Sequence, residues 1–581
     1  MDSLPFENIC LVDTEFVARP GSGERPAPVC IVIRNFRTKE TKRLWYDELG
    51  SLPPHSTGPD TLFVAFYVPA EMSFYLACGW PLPERILDLY VEFRNQYNCL
   101  PTIVDQKVYE KGERKIGRYS LVGVLTQFGL TTIDVAEKRE MTDRINCGGP
   151  WMPDEKPAIL DYCESDVIAL DRLLTVMLPQ LDLRRAMLRG RYMPCVAIME
   201  HNGIQIDTES YKRWCNQRES VRQGLITHVD APFGVYEGTT FKEKEFERCL
   251  AERKIPWPRH PSGRLVLDEE TFRDMAKLYL EIAPLRELRS TLSETREDKL
   301  AVGSDGRNRC SLWGFSSSSS RNQPSSKEYV FGEAKWKRGF IKPMPGFGFG
   351  YIDFSSEEFG IAAALSGDQA MQAVYAAGDP YLEFAKIVGA VPADATRETH
   401  GHVRDLYKAC VLAAFYGMGE YSLAARTGQH ILVARRMLQQ LRETFPRFWE
   451  WVINRVRNAM LTGSTHTVFG WTYHVAPGAN VRSIRNFPMQ ANAAEILRLS
   501  ICYGIENGIK ICGPVHDAVL IESALNRLDE DIERMRGYMA EASRVVLGGF
   551  ELRTDYVAVR YPDRYMDPRG RQFWDTVMSL L

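Results

Sequence analysis

Gly350-Tyr-Ile-Asp-Phe-Ser-Ser-Glu-Glu358 decides how the rest of the chain is read. Phe349, Tyr351 and Ile352 form a strand-like apolar run interspersed with glycines, and Phe359 to Leu365 continues as an alanine-rich helix. Asp353 stands where the strand ends, so a charge projects from a rigid scaffold. A second such place lies far downstream. Ile509, Ile511 and Val515 lead into His516-Asp517, and Val519 and Ile521 lead away, the pattern of a hairpin with Asp517 at its tip. Alone, each aspartate reads equally well as a solvated strand-end or turn residue. Together, on neighbouring strands, they are able to hold two divalent cations roughly 3.5 to 4 Å apart, which stabilise the attacking and leaving oxygens of an in-line phosphoryl transfer. Mg²⁺ suits such donors, because it prefers oxygen and keeps water and substrate phosphates in its shell.

A third element favours the paired reading. Arg404-Asp-Leu-Tyr-Lys-Ala-Cys-Val-Leu-Ala-Ala-Phe-Tyr-Gly417 is a helical run stopped by a glycine. At 3.6 residues per turn, Arg404, Lys408, Leu412, Phe415 and Tyr416 fall within an arc of about 120°. One face thus carries cations at one end and apolar or aromatic groups at the other. It matches a nucleoside triphosphate, with phosphates against Arg404 and Lys408 and the base near Leu412 and Tyr416.

A separate set of acids lies near the start. Asn8 to Val17 reads as a strand with Asp13 and Glu15 on one face. Val29 to Ile33 and Leu62 to Val68 read as further strands, and Pro69 opens a helix that carries Glu71. Asp88, in Ile86-Leu-Asp-Leu-Tyr90, is the alternative to Glu71 as the third acid, and Tyr162-Cys-Glu-Ser-Asp166 leads into a helix with Val167, Leu170 and Leu173.

In this order the motifs resemble family A DNA polymerases, the class of bacterial DNA polymerase I, in the compact form found in bacteriophages. Asp353 matches the first motif's aspartate, and Glu358 the glutamate that closes the pocket against a ribose 2′-hydroxyl. Arg404, Lys408 and Tyr416 match the fingers helix, and His516-Asp517 the palm hairpin. Arg482, Asn486 and Gln490 fall in the segment that contacts template and primer, and Arg321, after the serine tract 316–320, at the arginine that reaches the minor groove. Asp13, Glu15, Glu71 and Asp166, with Tyr162 to orient water, resemble the DEDD 3′-to-5′ exonuclease signature. Family members carry an aspartate where Glu71 stands and another near Asp88's place, which favours Glu71.

The resemblance implies an α/β (α+β) chain: an RNase H-like exonuclease domain over 1–185, then a right-hand polymerase domain over 186–581. Within the latter the thumb covers about 200–315, the palm about 316–396 and 471–581, and the fingers about 397–470. It further implies two Mg²⁺ in each site, replaceable by Mn²⁺, with primer–template DNA and dNTPs as substrates. Phage helicase, primase and single-strand binding protein are the expected partners, and a monomer in the host cytoplasm the expected state. No segment resembles the separate 5′-to-3′ nuclease domain of bacterial relatives. Two departures stand out. Leu412 replaces an aromatic residue common on the fingers helix, and Ala518 replaces the acid that often follows His-Asp.

Composition agrees without being decisive. At 581 residues several domains are expected; 45% hydrophobic and 25% charged residues are ordinary for a globular protein. The thirteen cysteines are scattered without a Cys-x-x-Cys pair, which points to a reducing compartment and away from zinc. No apolar run approaches a membrane span. A net charge of -3 leaves room for a locally basic cleft. Leu183 to Arg191, Arg307 to Arg309 and Lys335 to Arg338 each read, taken alone, as solvated basic faces.

Overall fold

The computed structural model describes residues 4–19, 21–106, 115–130, 135–294 and 300–581. Near the start, strands β1 (Asn8–Val17), β2 (Ala27–Asn35), β3 (Thr41–Trp45) and β4 (Thr61–Ala65), helix α1 (Pro69–Cys78), strand β5 (Arg85–Asp88) and helix α2 (Leu89–Gln96) follow in order. The sheet order is β3-β2-β1-β4-β5, with β1 antiparallel to β2 and parallel to β4. Strand β3 is not legible in the sequence because Thr41, Lys42 and Arg43 break the apolar alternation, as suits an edge strand that presents charge to solvent.

Helix α3 (Glu155–Met177) covers this sheet, burying Ile159, Cys163, Asp166, Val167, Leu170 and Leu174 at spacings of three and four. Tyr162 to Asp166 therefore sit inside the helix rather than ahead of it. Residues from about 180 to 200 are likewise two helices, Leu183–Gly190 and Met193–Asn202, with Pro194 in the first turn of the second. The charged stretch Leu225 to Lys254 is of mixed structure. It holds the end of Thr208–Asp230, a small hairpin pairing Tyr236–Glu237 with Thr240–Phe241, and helix Glu243–Glu252.

Downstream come β6 (Phe347–Phe354), α4 (Glu357–Ser366), α5 (Arg397–Phe415), α6 (Pro446–Thr462), α7 (Val481–Glu506), β7 (Ile511–Val515), β8 (Ala518–Ala524) and β9 (Thr554–Arg560). The four strands form an antiparallel sheet in the order β7-β8-β6-β9. Glycine has a steric use here: a Cβ on Gly350 would stand 2.6 Å from Ile532, so the helix Leu528–Val546 lies close on the sheet only because β6 has no side chain there.

The three basic stretches are not wholly solvated faces, although Arg184 and Arg185 are exposed. Arg189, Arg307, Arg309, Lys337 and Arg338 are all buried, and each is paired with an acid: Glu92, Glu522, Asp305, Glu333 and Asp567 respectively. Asp305 and Glu333 lie four residues from their partners, but Glu92, Glu522 and Asp567 are distant in sequence, and periodicity does not see them. The serine tract 316–320 is packed as well. Ser319 and Ser320 are buried, and Asn98 and Trp471 donate to the Ser318 carbonyl at 2.8 and 2.9 Å.

Candidate functional site

The register of the downstream sheet brings its acids together. Asp353 lies opposite Ala518 on β8 and opposite Asp555 on β9, so Asp517, one residue before β8, reaches the end of the Asp353 strand. His516 takes φ +58° in the tight turn. Asp353 Oδ1 is buried without a hydrogen-bond partner. Burial, then the charges of Asp517 and Asp555, push the Asp353 carboxyl well above the ordinary range, with Lys408 acting against them. Crowded carboxylates with an orphaned oxygen fit a hard divalent cation such as Mg²⁺ or Mn²⁺.

The acid missing at Ala518 has counterparts that the sequence reading did not single out. Asp555 accepts from Ser355 Oγ at 2.6 Å, and Glu357 is buried with Oε1 unpartnered. Asp555 stands near the start of a strand, where the rule that drew attention to Asp353 at the end of one would have noticed it. Glu357 is hidden beside Glu358.

Asp353, Asp517 and His516 line a cleft of about 940 Å³ together with Arg321, Glu358, Arg404, Lys408, Leu412 and Tyr416. Arg404, Lys408 and Leu412 lie on α5 and Tyr416 caps its end, at four-residue spacing. Phe415, which the arc placed with them, turns inward, its ring 4.9 Å from Phe448 and 6.4 Å from Phe359. Arg404 Nε donates to Asp379 Oδ2 at 2.7 Å and its Nη1 to Asp405 at 2.9 Å. Asp379 was not singled out from sequence. It also caps the helix Pro380–Ile387 through Tyr381 N and Leu382 N, so it fixes the guanidinium against a rigid helix start.

Tyr416 donates to Glu358 at 2.9 Å and accepts from Gln490 Nε2 at 3.1 Å, and an Arg321 nitrogen stands 3.9 Å from the same Glu358 oxygen. Arg482, Asn486 and Gln490 recur every four residues along α7 and so share a face. Asn486 Oδ1 is buried without a partner, and Arg482 is exposed.

The upstream acids also converge. Asp13, Glu15 and Cys163 offer ligand atoms all within 4.8 Å of one another, and Cys163 Sγ donates to Asp13 Oδ2 at 3.2 Å. Burial, then neighbouring acids, raises the Asp13 and Glu15 carboxyls. Asp166 pairs with Lys138, whose charge counters this, and Tyr162 OH lies 3.4 Å from Thr142 Oγ1. Cys163 and Lys138 were not foreseen: the former follows Tyr162 directly, and nothing in the sequence marks the latter. Glu71 and Asp88 differ in their partners. Asp88 accepts from the backbone N–H groups of Tyr67, Val68, Tyr90 and Val91, and so is consumed as a cap. Glu71 is 3% exposed with Oε2 unpartnered; burial, then Asp13, raises its carboxyl.

Comparison with known proteins adds to this geometry. Residues 319–555 match the model of DNA polymerase family A. DNA polymerase I of Chloroflexus aurantiacus is 22% identical over 423 residues, which is 66% of this chain and 44% of that protein. A thermostable DNA polymerase I of Thermus filiformis is 25% identical over 193 residues, 31% of this chain and 23% of that protein. The chain thus spans less than half the length of these curated relatives. The solved POL domain of Pol1 from M. smegmatis, in complex with DNA primer-template and dNTP, has a similar fold, with TM-score 0.69 at 16% identity over 98% of this chain and 96% of that one. The matched segment holds Asp353, Glu358, Arg404, Lys408 and Asp517 in one cleft, so the likeness to the DNA polymerase family A model falls on the residues that build the site.

Proposed function

We propose that the chain is a DNA-dependent DNA polymerase with a 3′-to-5′ proofreading exonuclease. The observation that carries the reading is Asp353 beside Asp517, with an orphaned carboxylate oxygen, in the cleft lined by Arg404, Lys408 and Tyr416. Divalent cations, Mg²⁺ by preference, two at Asp353 and Asp517, would supply a lowered pKa for a primer 3′-hydroxyl and charge neutralisation for the triphosphate. Arg404 and Lys408 hold the β and γ phosphates, and Lys408 hands a proton to the departing pyrophosphate. Glu358, held by Tyr416, fills the space a 2′-hydroxyl would need, and Tyr416 and Leu412 pack on the incoming nucleoside. Arg321, Arg482, Asn486, Gln490 and His516 contact primer, template or nucleotide.

Asp13, Glu15, Glu71 and Asp166 form the second cation site, where Tyr162 orients the water that cleaves the last phosphodiester. The sheet order around β1 and the free oxygen of Glu71 support this assignment. A phage genome as natural template, the host cytoplasm as compartment, phage replication proteins as partners and a monomeric state belong to the same proposal and rest on the compact family resemblance. No helix among the described residues is long and apolar enough to cross a membrane.

Primer extension on a 5′-labelled primer with Mg²⁺, with dNTPs, with rNTPs or with no nucleotide, tests the reading. Extension with dNTPs that Asp353→Ala abolishes, with primer shortening when nucleotides are withheld, is expected. Shortening without extension would overturn the polymerase assignment, and extension without shortening the exonuclease assignment.

A further inference from the structure

Three helices meet beside the fingers end of the cleft with their cations unspent. Arg442 extends from the helix Ile431–Thr444, Trp449 from α6 and Arg485 from α7. The Trp449 indole is fixed by its Nε1 donating to the Leu441 carbonyl at 3.3 Å. Arg485 lies 4.7 Å and Arg442 5.8 Å from the Trp449 ring. Among the described residues neither guanidinium has a carboxylate within 4.0 Å, and Arg485 Nε is buried without a partner.

Such an arrangement differs from Arg189 and Arg307, buried arginines that fork onto Glu92 and Glu522. Two like charges on one ring are unfavourable by themselves. Burial, then the Arg442 charge, lowers the Arg485 guanidinium to about 10. A guanidinium stacked on an aromatic ring keeps its N–H donors in its own plane, free for phosphate oxygens. Aromatic faces flanked by such cations suit single-stranded nucleic acid, because stacking and phosphate contact are both tolerant of sequence. The place also matters. Arg485 and Arg482 pack on Gly417, the residue after Tyr416, so the cluster adjoins the base end of the nucleotide cleft.

We propose that Arg442, Trp449 and Arg485 form a docking site for the single-stranded 5′ part of the template before it enters the cleft. The proposal rests on the polymerase reading, and the experiment separates the two. Dissociation constants are measured by fluorescence anisotropy, in EDTA to suppress cleavage, for one primer–template duplex carrying a 5′ template overhang of one or of eight nucleotides. A third duplex carries the same eight nucleotides paired. The intact chain is expected to bind the long overhang about tenfold tighter than the short one. Arg442→Gln and Arg485→Gln together, and Trp449→Leu separately, are expected to reduce that gain to under twofold. The salt dependence of the gain should fall by about 0.7 per arginine removed. Arg442 is exposed, so Arg442→Gln alone reads the site even if a variant at the half-buried positions fails to fold.

An overhang gain that persists in folded variants, or an equal gain from the paired extension, overturns the docking site and leaves the polymerase reading standing. Failure of the intact chain to bind any of the duplexes overturns both.

Discussion

Arg307→Met is expected to loosen the sheet that carries Asp353 and Asp517, although it touches neither. Arg307 forks onto Glu522 of β8 with two bonds of 2.8 Å, and its Nη1 also donates to the carbonyls of Asn202 and Gly203 at 3.1 and 3.2 Å. Glu522 is 5% exposed, and its other cation, Lys510 at 3.1 Å, has a side chain 41% exposed. Breaking a buried pair costs about 3 to 5 kcal/mol, because the remaining charge is left uncompensated. Lys510 keeps part of that compensation while two carbonyls lose a donor, so the net expectation is about 3 kcal/mol. Hydrogen exchange read by mass spectrometry reports on this sheet locally: protection of β8 peptides should fall by about a hundredfold or more. Replacing both partners, Arg307→Met with Glu522→Leu, should recover most of it.

The pH dependence of the pair has a definite sign. Burial works to raise the Glu522 carboxyl, but Arg307 and Lys510 outweigh it and hold the group below the usual carboxylate range. A depressed folded-state value means that the pair's contribution is complete above the unfolded value of about 4.3 and is lost as pH falls through the folded one. The intact chain should therefore show an acid-side fall in melting temperature that the double replacement lacks in part. Unchanged β8 protection in Arg307→Met, within about fivefold, would refute the reasoning.

Asp353→Asn should abolish extension while leaving the melting temperature equal or higher, since it removes a repulsion; a large drop in melting temperature would instead make Asp353 a structural residue. Glu358→Ala frees Tyr416 and should raise rNTP incorporation relative to dNTP in single-turnover assays, and unchanged discrimination would remove Glu358 from that role. Glu71→Gln and Asp88→Ala should part ways: the first should stop primer shortening without loss of stability, the second should cost about 2 kcal/mol or more by stripping a cap from four N–H groups, as differential melting would show. Leu412→Phe should alter discrimination against dideoxynucleotides in a competition gel, and an identical ratio would exclude Leu412 from the nucleotide-binding face.

Local chemistry was legible wherever a short stretch carries it entire. The apolar run into Asp353, the His516-Asp517 turn and the cation-to-aromatic face of Arg404, Lys408, Leu412 and Tyr416 could all be read in order along the chain, because strand ends, tight turns and helix periodicity depend on neighbours a few residues away. Partnership across the fold was not legible. Whether Arg307 faces water or Glu522 depends on a partner 215 positions away, and Arg189 with Glu92 and Arg338 with Asp567 are likewise far apart in sequence. Only the tertiary structure turned Phe415 to the core, brought Asp555 opposite Asp353, set Cys163 and Lys138 among the upstream acids, and spent Asp88 on four backbone N–H groups while leaving Glu71 an oxygen free. A charge in a sequence states what a residue is able to bind, and the fold, by choosing which charges share a low-dielectric interior, decides what it does bind.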